Sequence, residues 1–168
     1  MKSVYGVLIA GMLVFVVGCG ASPSADRTDE PTSQYLVDAE PSGAVSVGDA
    51  NASGEDGQPI TLVGLIGGST EPFVDGLAAF TIVDESVPYC ADEEGCPTPW
   101  DYCCTQDQVK DNIATVKIVD ESGGPLAEDA RELLSVKELS KVVVSGTAQK
   151  DEQGNLTVVA DQVFVKKD

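Results

Sequence analysis

The chain has 168 residues, 10 basic against 28 acidic side chains, a net charge of −18, and no histidine. Without histidine the Ser–His–Asp and Cys–His nucleophile systems are excluded, along with the commonest metal ligand. A surface this acidic repels nucleic acid, whose binding rests on neutralising phosphates, and no G-x-x-x-x-G-K phosphate loop is present.

Lys2 precedes an apolar run from Val4 to Val17, 14 residues long, where a membrane-spanning helix needs about 20. A positive residue, a short apolar core and a small-residue exit predict a secretory signal over residues 1–18. The exit, Val16-Val17-Gly18-Cys19, resembles the lipobox of bacterial lipoproteins. That resemblance implies a diacylglycerol on the Cys19 thiol, which becomes the new N-terminus. It also implies a protein anchored in the cell envelope, facing the periplasm or the exterior. Two acyl chains anchor stably where one is marginal. Gly20 and Ala21 follow the cysteine with no retention aspartate, which points to the outer membrane where a cell has one. Cleavage removes Lys2 alone among the charges, leaving nine basic against 28 acidic side chains, a net −19.

From Cys19 to Gln58 the chain is rich in Ser, Ala, Pro, Gly and acidic residues, with Arg27 the one basic side chain against eight acidic ones. Its apolar residues are scattered, too few to offset the entropy of ordering, so a disordered acidic tether is predicted over 19–58.

Regular structure is predicted from Pro59 to the C-terminus at Asp168. Alternation over Pro59–Ile66 predicts a strand kinked at its glycines. A second strand is predicted over Leu77–Val83, with Phe80 and Ile82 on one face, and a third over Ile113–Val119, with Val116 and Ile118 inward and Lys117 outward. Both end in Ile-Val-Asp-Glu-Ser, at 82–86 and 118–122, and the carboxylates of Asp84-Glu85 and Asp120-Glu121 read as solvated strand ends. Pro125–Leu134 carries a proline at its start and acids in its first turn, the pattern of a helix. Strands over Lys141–Ala148 and over Leu156–Ala160, the latter continuing through Val163 and Val165, flank a hairpin turn at Asp151–Asn155.

Strand, strand, strand, helix, strand, strand is the order of an OB-fold, a five-stranded Greek-key barrel. The text resembles that family at Val63-Gly64-Leu65-Ile66, Phe80-Thr81-Ile82-Val83-Asp84, Val142-Val143-Val144-Ser145-Gly146 and Gly154-Asn155-Leu156-Thr157-Val158. The fold class is thus all-β with one short helix. Such barrels commonly bind oligonucleotides on strands two and three and the loops 1–2 and 4–5. Here the outward positions Thr81, Val83, Thr115 and Lys117 offer no aromatic for stacking. The two loops carry Glu71 and Asp75, and Asp151 and Glu152. No nucleic-acid partner is expected. Small stress-related periplasmic OB proteins are a nearer analogy, and they imply binding or envelope maintenance.

The connection between strands two and three, 84–112, is 29 residues long and holds Cys90, Cys96, Cys103 and Cys104. Loops of this length are functional or disordered, and four cysteines, three prolines and three aromatics argue against disorder. The leading reading is two structural disulfides: an extracytoplasmic compartment, an even count and a long loop all favour them. Of the three pairings, a vicinal Cys103–Cys104 bridge is disfavoured as strained. The alternative is a metal ion (Zn, Cu or an Fe–S centre) on the same four sulfurs. Against it stand the lack of C-x₂-C knuckles and the acids Asp92, Glu93, Glu94 and Asp101, which oppose thiolate formation. Thiol–disulfide chemistry comes third, lacking C-x-x-C. Trp100 and Tyr102 either pack the loop onto the barrel or form an exposed recognition patch.

Together these features predict a non-catalytic binding or scaffolding lipoprotein whose loop carries specificity for an envelope protein or small ligand. No cofactor is expected unless the cysteine cluster holds a metal.

Overall fold

Alternating apolar residues bury one face of each strand, and five such strands here close on themselves. The computed structural model describes residues 33–167. Its elements in chain order are β1 (Val45–Ser46), α1 (Val47–Ser53), β2 (Pro59–Ile66), β3 (Ala79–Val83), α2 (Gln106–Val109), β4 (Ile113–Lys117), α3 (Ala130–Leu134), β5 (Lys141–Lys150) and β6 (Leu156–Val165).

The sheet runs β2-β3-β4-β6-β5, and β5 pairs back onto β2, closing a five-stranded barrel of OB type. Within the barrel, neighbours are antiparallel except β4 and β6, which run parallel with Val116 opposite Val158. The β5–β6 ladder shifts register between Ser145 and Gly146, which pair with Gln162 and Ala160 and leave Asp161 of β6 as the extra residue of a bulge, a device that bends a strand. A Cβ on Gly146 would stand 2.0 Å from the Val159 carbonyl oxygen, so only glycine fits this crossing. Leu62, Ile66, Phe80, Ile82, Val116, Ile118, Val144, Val158 and Val163 fill the interior. Burying side chains of this size contributes about 1.5–3 kcal/mol each.

The helix predicted over Pro125–Leu134 forms only from Ala130. The upstream backbone is spent on the sheet: Leu126 donates to the Ile118 carbonyl and accepts from Ala78 N–H, each at 2.9 Å. Asp129 then caps α3 by accepting from Arg131 N–H, and α3 plugs the barrel with Leu133 and Leu134.

The tether prediction is corrected over residues 33–58. Val45 and Ser46 pair in parallel with Leu62 and Val63. Ser46 Oγ caps α1 by accepting from Asp49 N–H at 3.1 Å, and α1 buries Val47 and Ala50 in the barrel core. Further upstream, Leu36 bridges to Val163, and Tyr35 and Leu36 pack against the core. The apolar residues of this stretch are few, but the helical i, i+3 spacing puts Val47 and Ala50 on one face. Cys19, the lipobox and the rest of the signal region lie outside the described residues. Among the described residues, no helix is long and apolar enough to cross a membrane.

Candidate functional site

The connection from β3 to β4 is seated on the barrel at three places. At its neck, Asp84 N–H donates to the Asn112 carbonyl at 2.9 Å. The Asp84 side chain is buried, 4 % exposed, which corrects its reading as a solvated strand end. Oδ1 accepts from Ser86 N–H at 2.9 Å and Ser86 Oγ at 2.8 Å, and Oδ2 accepts from Gly48 N–H of α1 at 2.8 Å. Burial works to raise its pKa, but these donors outweigh it and hold the carboxyl below its ordinary value. Asp120 at the second Asp-Glu-Ser makes the same turn onto Ser122, yet it is exposed, as expected. Its partner helix is what sets Asp84 apart.

The second seat is aromatic. Tyr102 is 0 % exposed and packs with Val83, Val87 and Val109 in a second apolar cluster beside Ile113. Tyr89 meets it edge-on at 6.5 Å. A recognition patch containing Tyr102 is therefore corrected, while Val83 does face outward from the barrel but is covered by the loop. Trp100 is half-buried, and its Nε1–H donates to the Thr70 carbonyl at 3.1 Å while Gly68 N–H donates to the Trp100 carbonyl at 2.8 Å. Gly67 is the seat itself, since a Cβ there would stand 2.6 Å from the Trp100 carbonyl oxygen and 2.9 Å from Tyr102 Cε2. The Tyr102 hydroxyl is buried without a hydrogen-bond partner among the described residues. Burial first, then electrostatic repulsion from the neighbouring Tyr89 and Asp84, pushes its pKa up to about 12.

The third feature is the cysteine cluster. Tyr102 takes a left-handed backbone, φ 55 and ψ 34, uncommon and costly for a bulky residue. Burial of its ring offsets that cost. The turn is continued by Thr105 N–H donating to the Tyr102 carbonyl at 2.8 Å. Cys103 and Cys104 consequently present both sulfurs, 3.8 Å apart, towards Cys90 and Cys96. Cys103 Sγ lies 3.2 Å from Cys90 and 3.1 Å from Cys96. Cys104 Sγ lies 3.4 Å from Cys90 and 3.9 Å from Cys96. All four sulfurs fall within 4.8 Å of one another. No two of these four sulfurs stand at the bonded distance of a disulfide. Cys90 is buried, and Cys103 and Cys104 are exposed.

Two acids beside the cluster, Asp101 and Glu94, are tied up in turns. Asp101 accepts from Thr98 Oγ1 at 2.7 Å and Cys103 N–H at 2.8 Å, and Glu94 accepts from Ala91 N–H at 2.7 Å. The Cys104 backbone N–H draws the Cys90 thiol down. Its hydrogen bond with Cys90 pushes the Cys104 thiol up to about 11. Cys96 is raised chiefly through Cys103. Cys103, drawn down by Cys96 but up by Cys90 and burial, is raised on balance.

On the barrel wall a cleft of about 860 Å³ opens between α1, the outward face of β3 and β4, and the β5–β6 turn. Thr81 and Thr115 form its floor, and Asp49, Asp111 and Asp151 outnumber Lys110 on its rim. Asp151 is fixed by its turn: it accepts from Gln153 N–H, Asn155 N–H and Asn155 Nδ2 at 2.7–2.9 Å. Its hydrogen bond with the Asn155 side chain is the chief reason its carboxyl stays below its ordinary value. Asn51 of α1 ties this wall together by donating to the Asp111 and Ile113 carbonyls.

The structure thus brings together all four predicted cysteines and separates them from the cleft. It also adds Gly48, Gly67 and Asp84, which sequence reasoning missed. An Asp-x-Ser pattern signals a side-chain-to-backbone turn, and the Gly67-Gly68 pair marks a close approach; either could have flagged them.

An OB-type closed barrel carrying a cysteine-rich loop between its second and third barrel strands is the class that this fold and site define. No protein-family model matches the chain, and no curated protein matches it. Among solved structures it is similar to the hypothetical protein ygiW from E. coli, at 16% identity and a TM-score of 0.41, over 75% of this chain and 94% of that one.

Proposed function

We propose that this protein is a lipid-anchored, non-catalytic binding domain of the cell envelope. The anchor is Cys19, supported by the short apolar run and the Val16-Val17-Gly18-Cys19 exit. The binding element is the cleft between α1, the β3–β4 face and the β5–β6 turn. The observation that carries this reading is the cleft's charge: Asp49, Asp84, Asp111 and Asp151 line it against Lys110, so it is net acidic. Such a lining repels phosphates and favours neutral polar or cationic ligands. The cysteine loop, rooted at Asp84 and Asn112 beside the same cleft, braces one of its walls.

Calorimetric titration of the mature chain with spermidine and with a single-stranded deoxyoligonucleotide tests this. Weak, salt-sensitive binding of the cation, reduced at least about threefold in Asp111→Asn, is expected, with no heat from the oligonucleotide. Oligonucleotide binding in the micromolar range, or cation binding unaffected by the substitution, would count against the cleft.

A further inference from the structure

We propose that Cys90, Cys96, Cys103 and Cys104 hold one divalent, thiophilic metal ion of the zinc class in tetrahedral sulfur coordination. The proposal deepens the reading of the loop as a brace and is independent of lipid anchoring and of the cleft.

The geometry carries it. Two disulfides need only two separate pairs of sulfurs, whereas here all four lie within 4.8 Å of one another, as one ion's ligand shell requires. Four sulfurs each about 2.3 Å from a central zinc stand about 3.8 Å apart. Five of the six separations, 3.1, 3.2, 3.4, 3.8 and 3.9 Å, lie near that edge, three of them needing to open, and the sixth, Cys90 to Cys96, is within 4.8 Å. A polynuclear iron–sulfur cluster would interpose inorganic sulfur and more than one iron, spreading the cysteines further than this shell. Soft thiolates in a tetrahedral set of four select zinc over hard cations.

Two further features fit an ion. Adjacent cysteines rarely face one centre; here the left-handed Tyr102 turns both towards Cys90 and Cys96. A strained backbone held by a buried ring at this point is the kind of outlier that accompanies a functional site. The nearby carboxylate of Asp101 is engaged by Thr98 and Cys103 N–H. It orients the backbone of a ligand without competing for the ion, as outer partners of metal sites do.

Binding exchanges the ion's entire shell of waters or buffer ligands, and up to four thiol protons released to solvent, for four sulfur–metal bonds; no electrons move. The test uses the full chain isolated from its envelope without reductant or chelator. Elemental analysis and thiol titration are run on the same sample. The expected result is one zinc per chain and four thiols that react only after a chelator is added. Replacing zinc by cobalt(II) is expected to give the intense sulfur-to-metal charge-transfer band and tetrahedral d–d absorption. Cys96→Ser, at a half-exposed ligand, is expected to weaken zinc binding by more than the roughly 10–100-fold typical of losing an outer partner. Circular dichroism shows whether that variant keeps its fold. A metal-free chain four hydrogens lighter than its reduced mass would overturn the proposal. So would iron with acid-labile sulfide, or zinc affinity unchanged in a folded Cys96→Ser chain.

Discussion

The Gly48 amide donates to Asp84 Oδ2 at 2.8 Å, joining α1 to the root of the cysteine loop across 36 residues of chain. A Cβ on Gly48 would also stand 2.3 Å from Asn112 Oδ1. One contact therefore couples the N-terminal helix, the loop and the wall of the cleft.

Asp84→Asn removes the charge that three donors satisfy, and the loss is expected to be about 1–3 kcal/mol. The sign of the pH dependence follows from the lowered pKa. The native carboxylate contributes stability above the unfolded value, near 3.9, and that contribution is lost as pH falls through the lower native value. Urea unfolding at pH 7 and at pH 3 checks this: the gap between wild type and Asp84→Asn should narrow in acid.

Gly67→Ala is expected to lift the loop, because its new methyl group meets backbone and a buried ring rather than a flexible chain end. A destabilisation of about 1–3 kcal/mol fits such overpacking. Trp100 is the sole tryptophan, so its fluorescence reports the seat directly: a red shift in Gly67→Ala before global unfolding is expected. Global unfolding with no separate change in Trp100 would place the strain elsewhere.

Tyr102 separates ring from hydroxyl. Removing the unpartnered hydroxyl in Tyr102→Phe should cost nothing or stabilise, since a buried unsatisfied group carries a penalty of about 1–3 kcal/mol. Tyr102→Ala should cost about 3–5 kcal/mol. Wild-type stability should also fall as pH rises from about 10 to about 12, because the raised native pKa favours the unfolded phenolate. Tyr102→Phe should flatten that alkaline limb; thermal melts across the range decide.

The barrel was legible because its strands alternate over at least five residues and their turns carry Gly, Asn and Asp, as at Asp151–Asn155. The convergence of the cysteines was half legible: their spacing showed a braced loop, but not that a left-handed Tyr102 would aim adjacent sulfurs at one centre. Three features escaped for one reason, namely that each is decided by a partner distant in sequence. Asp84 looked like a solvated strand end until Gly48 reached it. Val47 and Ala50 looked too sparse to fold until β2 offered them a surface. Pro125–Asp129 has helix composition, yet Ala78 and Ile118 claim the backbone of Leu126 for the sheet edge.

Gly146→Ala tests the closure of the barrel, since the added methyl meets the Val159 carbonyl at 2.0 Å with backbone on both sides. A loss above about 3 kcal/mol is expected, large for a single methyl and attributable to strain at a special site. Chemical denaturation measures it; a cost below about 1 kcal/mol would mean that the β5–β6 crossing is looser than described.

The claim that the barrel works from a membrane surface is tested most directly by the intact mass of the chain extracted from membranes with detergent. The expected species starts at Cys19, carries the added mass of a diacylglyceryl group, and partitions into the detergent phase. A chain that retains Met1, or that begins elsewhere without acyl groups and stays in the aqueous phase, would contradict the account.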